Sequence, residues 1–369
     1  YMLQLDYIID SFSKTKVRNM KPFIRNLLRM SVYQIKYMDA VPDSAVCNEA
    51  VKLAKRHKFA QLSGFVNGVL RNIARNIDLV QFDTLSIRYS MPQWIVDRFV
   101  SAYGEKKAEE IFKAFHNKST ISIRTNLTRC TPDELRAMLE AEGVTVTAVD
   151  ELNYAFVISG FDYLNGLQSF RDGLFYVQDI SSMLVAQTAA PKKGDYVIDV
   201  CAAPGGKSTH IAELLQGSGH VLARDLTDNK VDMIEENIDR HGLNNMSAEV
   251  WDATVPDADS EGKADILICD LPCSGLGVLG RKKDIRYKMT PESVDELAAL
   301  QRQILDTVHT YVKTNGVLVY STCTIDEAEN EDNVRWFIEK HPEFELDKSF
   351  AEGIGMKQIL PGEHGSDGF

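Results

Sequence analysis

Apolar residues recur every three or four positions through the first part of the chain. Residues 20–38, 43–57 and 60–76 each carry such a stripe, with polar and charged residues between its members. This spacing is typical of amphipathic helices that bury one face. It predicts an all-helical domain over residues 1–80, and shorter helical patterns extend it as a linker over residues 81–118.

The spacing of the apolar residues changes near residue 119, from the helical period to strict alternation with polar residues. Residues 119–126, STISIRTN, alternate like a strand, and residues 131–143, TPDELRAMLEAEG, predict a helix that ends at glycine. Three further strand-like stretches follow, VTVTAV, YAFVIS and LFYVQD. A strand, a helix and more strands in this order predict a small α+β module, similar to RNA-recognition folds, over residues 119–190.

Strands and helices alternate from Asp195 onward. The apolar runs predict strands at 195–200, 219–223, 247–251, 264–269 and 316–320. Helical patterns separate most of them, at 207–216, 227–240, 291–313 and 326–340. The alternation predicts a Rossmann-like α/β domain with a doubly wound parallel sheet over residues 191–369, which makes the whole chain a multidomain protein. Such sheets bind ligands at the carboxyl ends of their strands.

Charge is distributed unevenly over the predicted domains. The net charge is −12, but residues 1–80 hold 13 Lys and Arg against 6 Asp and Glu, so this front end carries +7 and the remainder −19. Either the front end binds nucleic acid or it is a helical domain with solvated lysines, and charge alone favours neither. The basic residues available to hold phosphates are Lys14, Lys16, Arg18, Lys21, Arg25, Arg29, Lys52, Lys55, Arg56, Lys58, Arg71 and Arg75.

Composition excludes several classes of protein. The apolar fraction of 44% and the charged fraction of 25% are ordinary for globular protein, and no apolar run reaches the roughly 20 residues of a membrane span. The six scattered cysteines form no disulfide framework and no C-x2-C pair, so reduced thiols in a cytoplasm and no bound metal are expected. Cys47, Cys130 and Cys269 are interpreted as buried apolar residues. Both chain ends are interpreted as cut, and a monomer is expected.

The turn after the first strand of the α/β domain is rich in small residues. It consists of Cys201, Ala202, Ala203, Pro204, Gly205, Gly206 and Lys207. Its glycines let a ligand approach the backbone, and it opens a helix as nucleotide-binding turns do. It is not a P-loop, because Cys201 stands where the P-loop has glycine. We therefore expect a nucleoside cofactor without an essential pyrophosphate, for which S-adenosylmethionine fits better than NAD.

Three acids follow successive strands at the edge where this cofactor would lie. Asp225 comes 19 residues after Gly206, where an acid commonly accepts hydrogen bonds from ribose hydroxyls. Asp252 follows the next strand and could accept from an adenine amine, and Asp270 follows the strand after that. A single acid at a strand end is more often merely solvated. Three together favour a ligand-binding edge.

Two cysteines follow the last two strands in the same way. Cys273 lies in DLPCSG, after strand 264–269, and Cys323 lies in YSTCT, after strand 316–320. If these strands are neighbours, about 4.8 Å apart, Asp270 and both thiols meet beside the cofactor. A thiolate is the reactive form of cysteine, so two thiols at this edge could carry covalent chemistry. The alternative is that both thiols are buried apolar residues.

The motifs DVCAAPGGKSTH, DLPCSGLGVL and YSTCT resemble those of the RNA 5-methylcytosine methyltransferases, and the helical front end resembles a NusB-type domain. The resemblance covers essentially the whole chain. It implies an S-adenosylmethionine-dependent enzyme that methylates carbon 5 of a cytosine in RNA, most directly 16S rRNA. It also implies that Cys323 attacks and that Cys273 helps to release the product. In DNA cytosine methyltransferases the Pro-Cys thiol attacks instead, and the residues alone do not decide between the two arrangements.

Further expectations concern the substrate and the limits of the resemblance. Asp270 is expected to share a proton with cytosine N3, Arg124 and Asn126 to contact substrate together with the loop 280–288, and VQDISS (177–182) to lie beside the cofactor. Leu271 stands where alanine is commoner in the family, and the final strand after GSDGF is absent, so an incomplete sheet edge is expected. The rival interpretations are a methyltransferase acting on tRNA or DNA and a non-catalytic RNA-binding ribosome assembly factor.

Overall fold

A computed structural model describes residues 1–117, 120–150 and 152–369. It divides into two compact units, Tyr1–Lys113 and Ala114–Phe369. The predicted boundary between the helical linker and the α+β module, at residues 118 and 119, lies outside the described residues. Among the helices that are described, none combines the length and the apolar character needed to cross a membrane.

Amphipathic helices build the first unit. In chain order they are α1 (Met2–Phe12), α2 (Pro22–Tyr37), α3 (Asp43–Arg56), α4 (Ser63–Asn76), α5 (Leu85–Arg88) and α6 (Gln93–Ala114). The three predicted stripes are confirmed as α2, α3 and α4, and they bury residues such as Leu28 completely. Pro22 occupies the first turn of α2, where its missing N–H leaves no hydrogen bond unmade. α6 is interrupted at Gly104, whose φ of 75° lies in the left-handed region.

The second unit begins with an antiparallel sheet of order β2-β3-β1-β4 in the described residues. Its elements are β1 (Ile121–Thr125), α7 (Pro132–Ala141), β2 (Thr145–Val149), β3 (Leu152–Ser159), α8 (Gln168–Arg171) and β4 (Phe175–Val177). The predicted α7 is capped by Thr131, which accepts from the backbone of Glu134 and receives the Glu134 side chain in return. The predicted α+β fold is confirmed.

A parallel sheet of order β7-β6-β5-β8-β9 forms the rest of the second unit. The elements are α9 (Ile180–Ala189), β5 (Tyr196–Asp199), α10 (Gly206–Leu214), β6 (His220–Asp225), α11 (Asp228–His241), β7 (Met246–Val250), β8 (Ala264–Asp270), α12 (Ile285–Lys288), α13 (Pro291–Val308), β9 (Val312–Ser321) and α14 (Glu331–Lys340). The predicted doubly wound α/β domain is confirmed. The strand order reverses between β5 and β8, and ligands bind at such a reversal.

The pairing of β8 with β9 positions the candidate site. Asp270 pairs with Ser321 in the register of these parallel strands, so the segments that follow both strands leave the sheet side by side. β9 lies at one edge of this sheet in the described residues. A groove of about 1180 Å³ runs along this edge, between β9 and the segment that follows α14.

Several element boundaries differ from the prediction. The helix predicted over 291–313 ends at Val308 as α13. α14 begins at Glu331 rather than at residue 326, because residues 327–330 form a turn from which Glu329 reaches the loop after β8. β9 begins at Val312 rather than at 316, since its pairing with β8 shifts register near its start and accommodates extra residues there.

Candidate active site

The segments after β8 and β9 bring two thiols together. The Sγ atoms of Cys273 and Cys323 are 3.1 Å apart, although the residues are 50 positions apart in the chain. Both residues are partly exposed, whereas Cys47, Cys130 and Cys269 are buried as predicted. The predicted convergence of the two thiols is confirmed, and the alternative that both lie in a dry core is wrong.

The contact between the two thiols shifts their pKa values in opposite directions. A hydrogen bond joins the two sulfurs, and it lowers the pKa of the Cys323 thiol. Burial and Asp270 oppose that shift, while Lys207 and Lys282 reinforce it. The same contact with Cys323, together with burial, raises the pKa of Cys273 well above its ordinary value. The geometry therefore favours a thiolate on Cys323 and a protonated thiol on Cys273.

An ion pair lies beside the thiols. Asp270, the last residue of β8, accepts from Lys207 Nζ at 2.7 Å and from Ser321 Oγ at 2.8 Å. Burial alone would lower the pKa of Lys207, but the charges of Asp270 and Asp199 outweigh it and raise that pKa. We expected Asp270 to share a proton with cytosine N3. In the structure its Oδ2 is also the acceptor for Lys207, which holds the side chain in place.

The CAAPGGK turn (residues 201–207) connects β5 to α10 at the reversal of strand order. Gly205 has a φ of 99°, which favours glycine, and it forms the N-cap of α10. A Cβ on Gly206 would lie 3.1 Å from the Tyr176 ring, so a side chain there would crowd the turn. Ala203 N donates to Asp225 at 2.9 Å, which fixes the turn against the end of β6.

Sequence reasoning missed an acid beneath this turn. Asp199 ends β5, is fully buried, and accepts from Ser208 Oγ and, at 3.4 Å, from Cys201 N. Burial raises the pKa of Asp199 to about 7, and the charge of Asp270 adds to the shift. The signal was present in the sequence, because Asp199 ends an apolar strand as the three chosen acids do.

The remaining predicted cofactor residues line the same edge. Asp225 is buried, and its Oδ1 accepts from Leu226 N at 2.7 Å and from Lys230 Nζ at 2.8 Å. Asp252 is exposed after β7, and its Oδ1 accepts from the backbone and hydroxyl of Thr254. Cys201 is half-buried, and burial raises the pKa of its thiol, which suits a lining role rather than a reactive one. Ala202 and Pro204 complete the turn, with Ala202 buried.

A second buried acid supports the loop that carries Cys273. Glu329 accepts from Ser274 N at 2.8 Å, from Ser274 Oγ and from Gln301 Nε2 at 3.1 Å. Burial raises the pKa of Glu329, and these hydrogen bonds oppose the shift. No feature of the sequence pointed to Glu329, which lay inside the helix predicted over residues 326–340.

Comparisons with known proteins agree with this architecture. A family model described as 16S rRNA methyltransferase RsmB/F matches residues 186–369, a NusB family model matches 1–75, and an RsmF/B-like ferredoxin-like domain model matches 91–161. A protein of Bacillus subtilis (strain 168), named probable ribosomal RNA small subunit methyltransferase B, is 38% identical over 386 residues, 100% of this chain and 86% of that protein. The chain belongs to the RsmB/F family of 16S rRNA methyltransferases.

Solved structures show the same fold. The crystal structure of PH0851 has a TM-score of 0.84 and 26% identity, covering 100% of this chain and 86% of that chain. The structure of NSun6 from Pyrococcus horikoshii with SFG has a TM-score of 0.68 and 25% identity, covering 75% of this chain and 96% of that one. The predicted combination of a NusB-like domain, an α+β module and a Rossmann-like methyltransferase domain is confirmed.

The RsmB/F methyltransferases are S-adenosylmethionine-dependent, and the cofactor edge of this chain fits that group. Asp225 has acceptor capacity left on Oδ2 for ribose hydroxyls, beyond its bond from Ala203 N. The adjacent Leu226 is 56% exposed at the end of β6 and offers an apolar surface to an adenine ring. A buried carboxylate beside an exposed apolar side chain suits a nucleoside better than a phosphate.

Two of the expected substrate contacts are wrong. Arg124 is 1% exposed and bonds Glu213 and Thr209 of α10, because strand β1 turns this side chain toward the methyltransferase domain. Asn126 is also fully buried, and its amide donates to Gly173 O. These residues join the α+β module to the Rossmann-like domain instead of meeting RNA.

The loop 280–288 has a mixed role. Arg281 pairs with Asp179, which lies in the VQDISS segment, and with Asp367. Arg286 is buried and donates to Leu279 O. Lys282 and its neighbour at 283 remain exposed, so the loop keeps basic side chains available for a phosphate.

Proposed function

We propose that this RsmB/F methyltransferase transfers the methyl group of S-adenosylmethionine to carbon 5 of a cytosine in 16S rRNA through a covalent adduct with Cys323. The observation that carries the proposal is the 3.1 Å contact between the Sγ atoms of Cys273 and Cys323. A paired thiolate and thiol suit a reaction in which one sulfur attacks and the other carries a proton.

The chemistry of the adduct assigns a role to each sulfur. Cys323 Sγ forms a bond to carbon 6, which makes carbon 5 electron-rich. S-adenosylmethionine supplies the electrophilic methyl group that carbon 5 takes up. The proton on carbon 5 then leaves to a base, the double bond re-forms, and the bond from Cys323 to carbon 6 breaks. Cys273, whose Sγ is 3.1 Å from that of Cys323, is proposed to assist this release.

Negative charge develops on the N3 and O2 side of the ring during thiolate attack. Lys207 carries protons and is fixed by its 2.7 Å contact with Asp270, itself held by Ser321. We assign this pair to the polar edge of the cytosine, where Lys207 acts as the donor and Asp270 contacts N3 through a proton that the two share. Because Lys207 is already held in place, the site needs no reorganisation when negative charge develops on the ring.

The target base must leave any stack or pair before carbon 6 can meet a thiol, at a cost of a few kcal/mol. Phosphate contacts would supply that energy. In the first unit most of the predicted phosphate-binding residues are exposed, but Arg29 is paired with Asp6 at 2.6 Å and is therefore not available. We propose that the remaining basic residues of the NusB-like domain hold the RNA.

Covalent trapping tests the assignment of the two cysteines. Cys323→Ser is expected to abolish methylation and to give no protein–RNA adduct on denaturing gels. Cys273→Ala is expected to accumulate that adduct, because attack continues while release slows. Full turnover by Cys323→Ser would refute the nucleophile assignment. An adduct that survives in Cys323→Ser would transfer the attacking role to Cys273.

Substrate class is tested separately from mechanism. Tritium transfer from S-adenosylmethionine to rRNA, tRNA and DNA should be strongest for rRNA, and bisulfite mapping of 16S rRNA from cells that lack the protein should reveal the lost methylcytosine. Equal transfer to tRNA would favour another RNA substrate. RNA binding without cofactor binding in calorimetry would favour an assembly factor.

A further inference from the structure

A histidine pair and a carboxylate meet at the end of β9 opposite to the thiols. His309 follows α13, His341 follows α14, and Glu343 lies two residues later. Glu343 Oε1 is 3.8 Å from His309 Nε2 and 3.5 Å from His341 Nδ1. The two imidazole rings are 4.0 Å apart, and the three candidate ligand atoms all lie within 4.8 Å of one another.

Asp306 fixes which nitrogen of each ring faces the centre of the cluster. His309 Nδ1 is 2.9 Å from the backbone carbonyl of Asp306, and His341 Nε2 is 3.1 Å from its Oδ1. Both contacts are with oxygens of Asp306, and Lys340 Nζ lies 2.7 Å from the same carboxyl group. Each imidazole therefore directs one nitrogen to Asp306 and its other nitrogen, Nε2 of His309 or Nδ1 of His341, to Glu343.

Three atoms that can ligate a metal ion converge in this cluster. They are two imidazole nitrogens and a carboxylate oxygen, and each can supply a lone pair to a metal ion. Histidines that bind metal ions almost always donate their second N–H to a carbonyl or a carboxylate, and here both kinds of acceptor come from Asp306. We propose that His309, His341 and Glu343 form a binding site for a divalent transition-metal ion, with Zn²⁺ as its ligand.

The distances suit Zn²⁺. Bonds of about 2.0–2.2 Å in a tetrahedral site place ligand atoms roughly 3.4 Å apart. The 3.5 Å separation matches that spacing, and the 3.8 Å separation needs a movement of a few tenths of an ångström. The side chain of Glu343 is 56% exposed and has room for that adjustment, which leaves the fourth position to water. Mg²⁺ and Ca²⁺ prefer oxygen ligands and do not suit two imidazoles.

A metal ion here would have a structural role. It would join the segment between α13 and β9 to the segment after α14, beside the rings of Phe337 and Phe344. An apolar surround of this kind strengthens the attraction between ion and ligands. This proposal departs from the expectation of no metal, which rested on cysteine spacing and did not consider histidines 32 residues apart.

Zinc titration of the full chain tests the proposal. The two thiols at 3.1 Å are themselves potential zinc ligands, so the titration uses metal-free protein in which Cys273 and Cys323 are both replaced by Ser. One Zn²⁺ per chain is expected by calorimetry, with no heat from Mg²⁺. In this background His309→Ala and Glu343→Ala should each weaken Zn²⁺ binding at least about tenfold, a loss reported even for residues that only orient a ligand. His220→Ala is the matched control, since its Nε2 contacts Ser247 Oγ rather than a carboxylate.

Two further results separate the outcomes. Co²⁺ in the site should give a d–d absorption spectrum without a sulfur-to-metal charge-transfer band, because all three ligands offer nitrogen or oxygen. Glu343 lies at the surface, so its alanine variant is expected to fold even if His341→Ala does not. The proposal is overturned if the protein binds no Zn²⁺, or if Glu343→Ala and His309→Ala bind it as well as His220→Ala does.

Discussion

The contact between the two thiols makes the reactivity of Cys323 depend on the proton of Cys273. Replacing Cys273 by Ala removes the donor that lowers the pKa of Cys323, while Lys207 and Lys282 remain in place. Burial and Asp270, which both raise that pKa, also remain. The pKa of Cys323 must therefore rise in this variant.

The size of the shift follows from the strength of the lost hydrogen bond. A hydrogen bond to a charged group contributes about 1.5–3 kcal/mol, and a thiol is a weak donor, so the lower end applies. Since one pKa unit corresponds to about 1.4 kcal/mol, Cys273→Ala should raise the pKa of Cys323 by about one unit. The thiolate is present above its pKa, so the acid side of the reactivity profile should move upward in pH by the same amount. At a pH below both values, reactivity falls about tenfold.

Alkylation measures this shift without RNA or cofactor. The rate at which iodoacetamide modifies Cys323 is followed against pH, and the modified peptide is identified by mass spectrometry. Cys273→Ser is the matched control, because its hydroxyl can still donate to the thiolate and should keep most of the lowered pKa. Identical profiles for Cys273→Ala and the unaltered protein would refute the reasoning, since they would show that the two sulfurs do not share a proton.

Two other contacts make equally direct predictions. Arg124→Ala should lower the free energy of unfolding in urea by about 3–5 kcal/mol, because it removes the arginine that pairs with the buried Glu213. The control is Lys52→Ala, which breaks an exposed ion pair and should lower the free energy of unfolding by less than about 1 kcal/mol. Glu329→Ala should slow adduct formation at Cys323, because Glu329 accepts hydrogen bonds from the loop that carries Cys273. Its affinity for S-adenosylmethionine, measured by calorimetry, should not change, because Glu329 does not bond the CAAPGGK turn. A loss of cofactor affinity as large as the loss of adduct formation would contradict a positioning role.

Periodicity predicted most of the fold because each element buries one regular face. The stripes of α2, α3 and α4 and the apolar runs of β5 to β9 are direct consequences of that burial. α1 was missed although it buries Leu5, Ile8 and Ile9, since the charges around these residues obscured the repeat. The predicted ends of elements were wrong where a side chain outside the element determines where it begins, as Glu329 does before α14.

Motif spacing predicted which residues meet at the site, but not which contacts hold them. The pairing of β8 with β9 was enough to bring Cys273 and Cys323 together. It could not show that Arg124, on an alternating strand, faces a second domain and not solvent. The same limit applies to Asp199, whose burial depends on how α10 packs over β5.

The structure adds an electrostatic reason for distinguishing the two thiols, which their motifs alone could not supply. Cys323 accepts a hydrogen bond from Cys273 and lies near the ammonium groups of Lys207 and Lys282, which stabilise a thiolate against the opposing charge of Asp270. Cys273 lies near the Glu329 carboxylate, which disfavours one. A pair of equivalent thiols would divide the negative charge evenly, whereas this asymmetry gives the charge to Cys323 and the proton to Cys273. That division favours Cys323 as the attacking sulfur and leaves Cys273 to act once the methyl group has been transferred, which is the order of events that adduct trapping would detect.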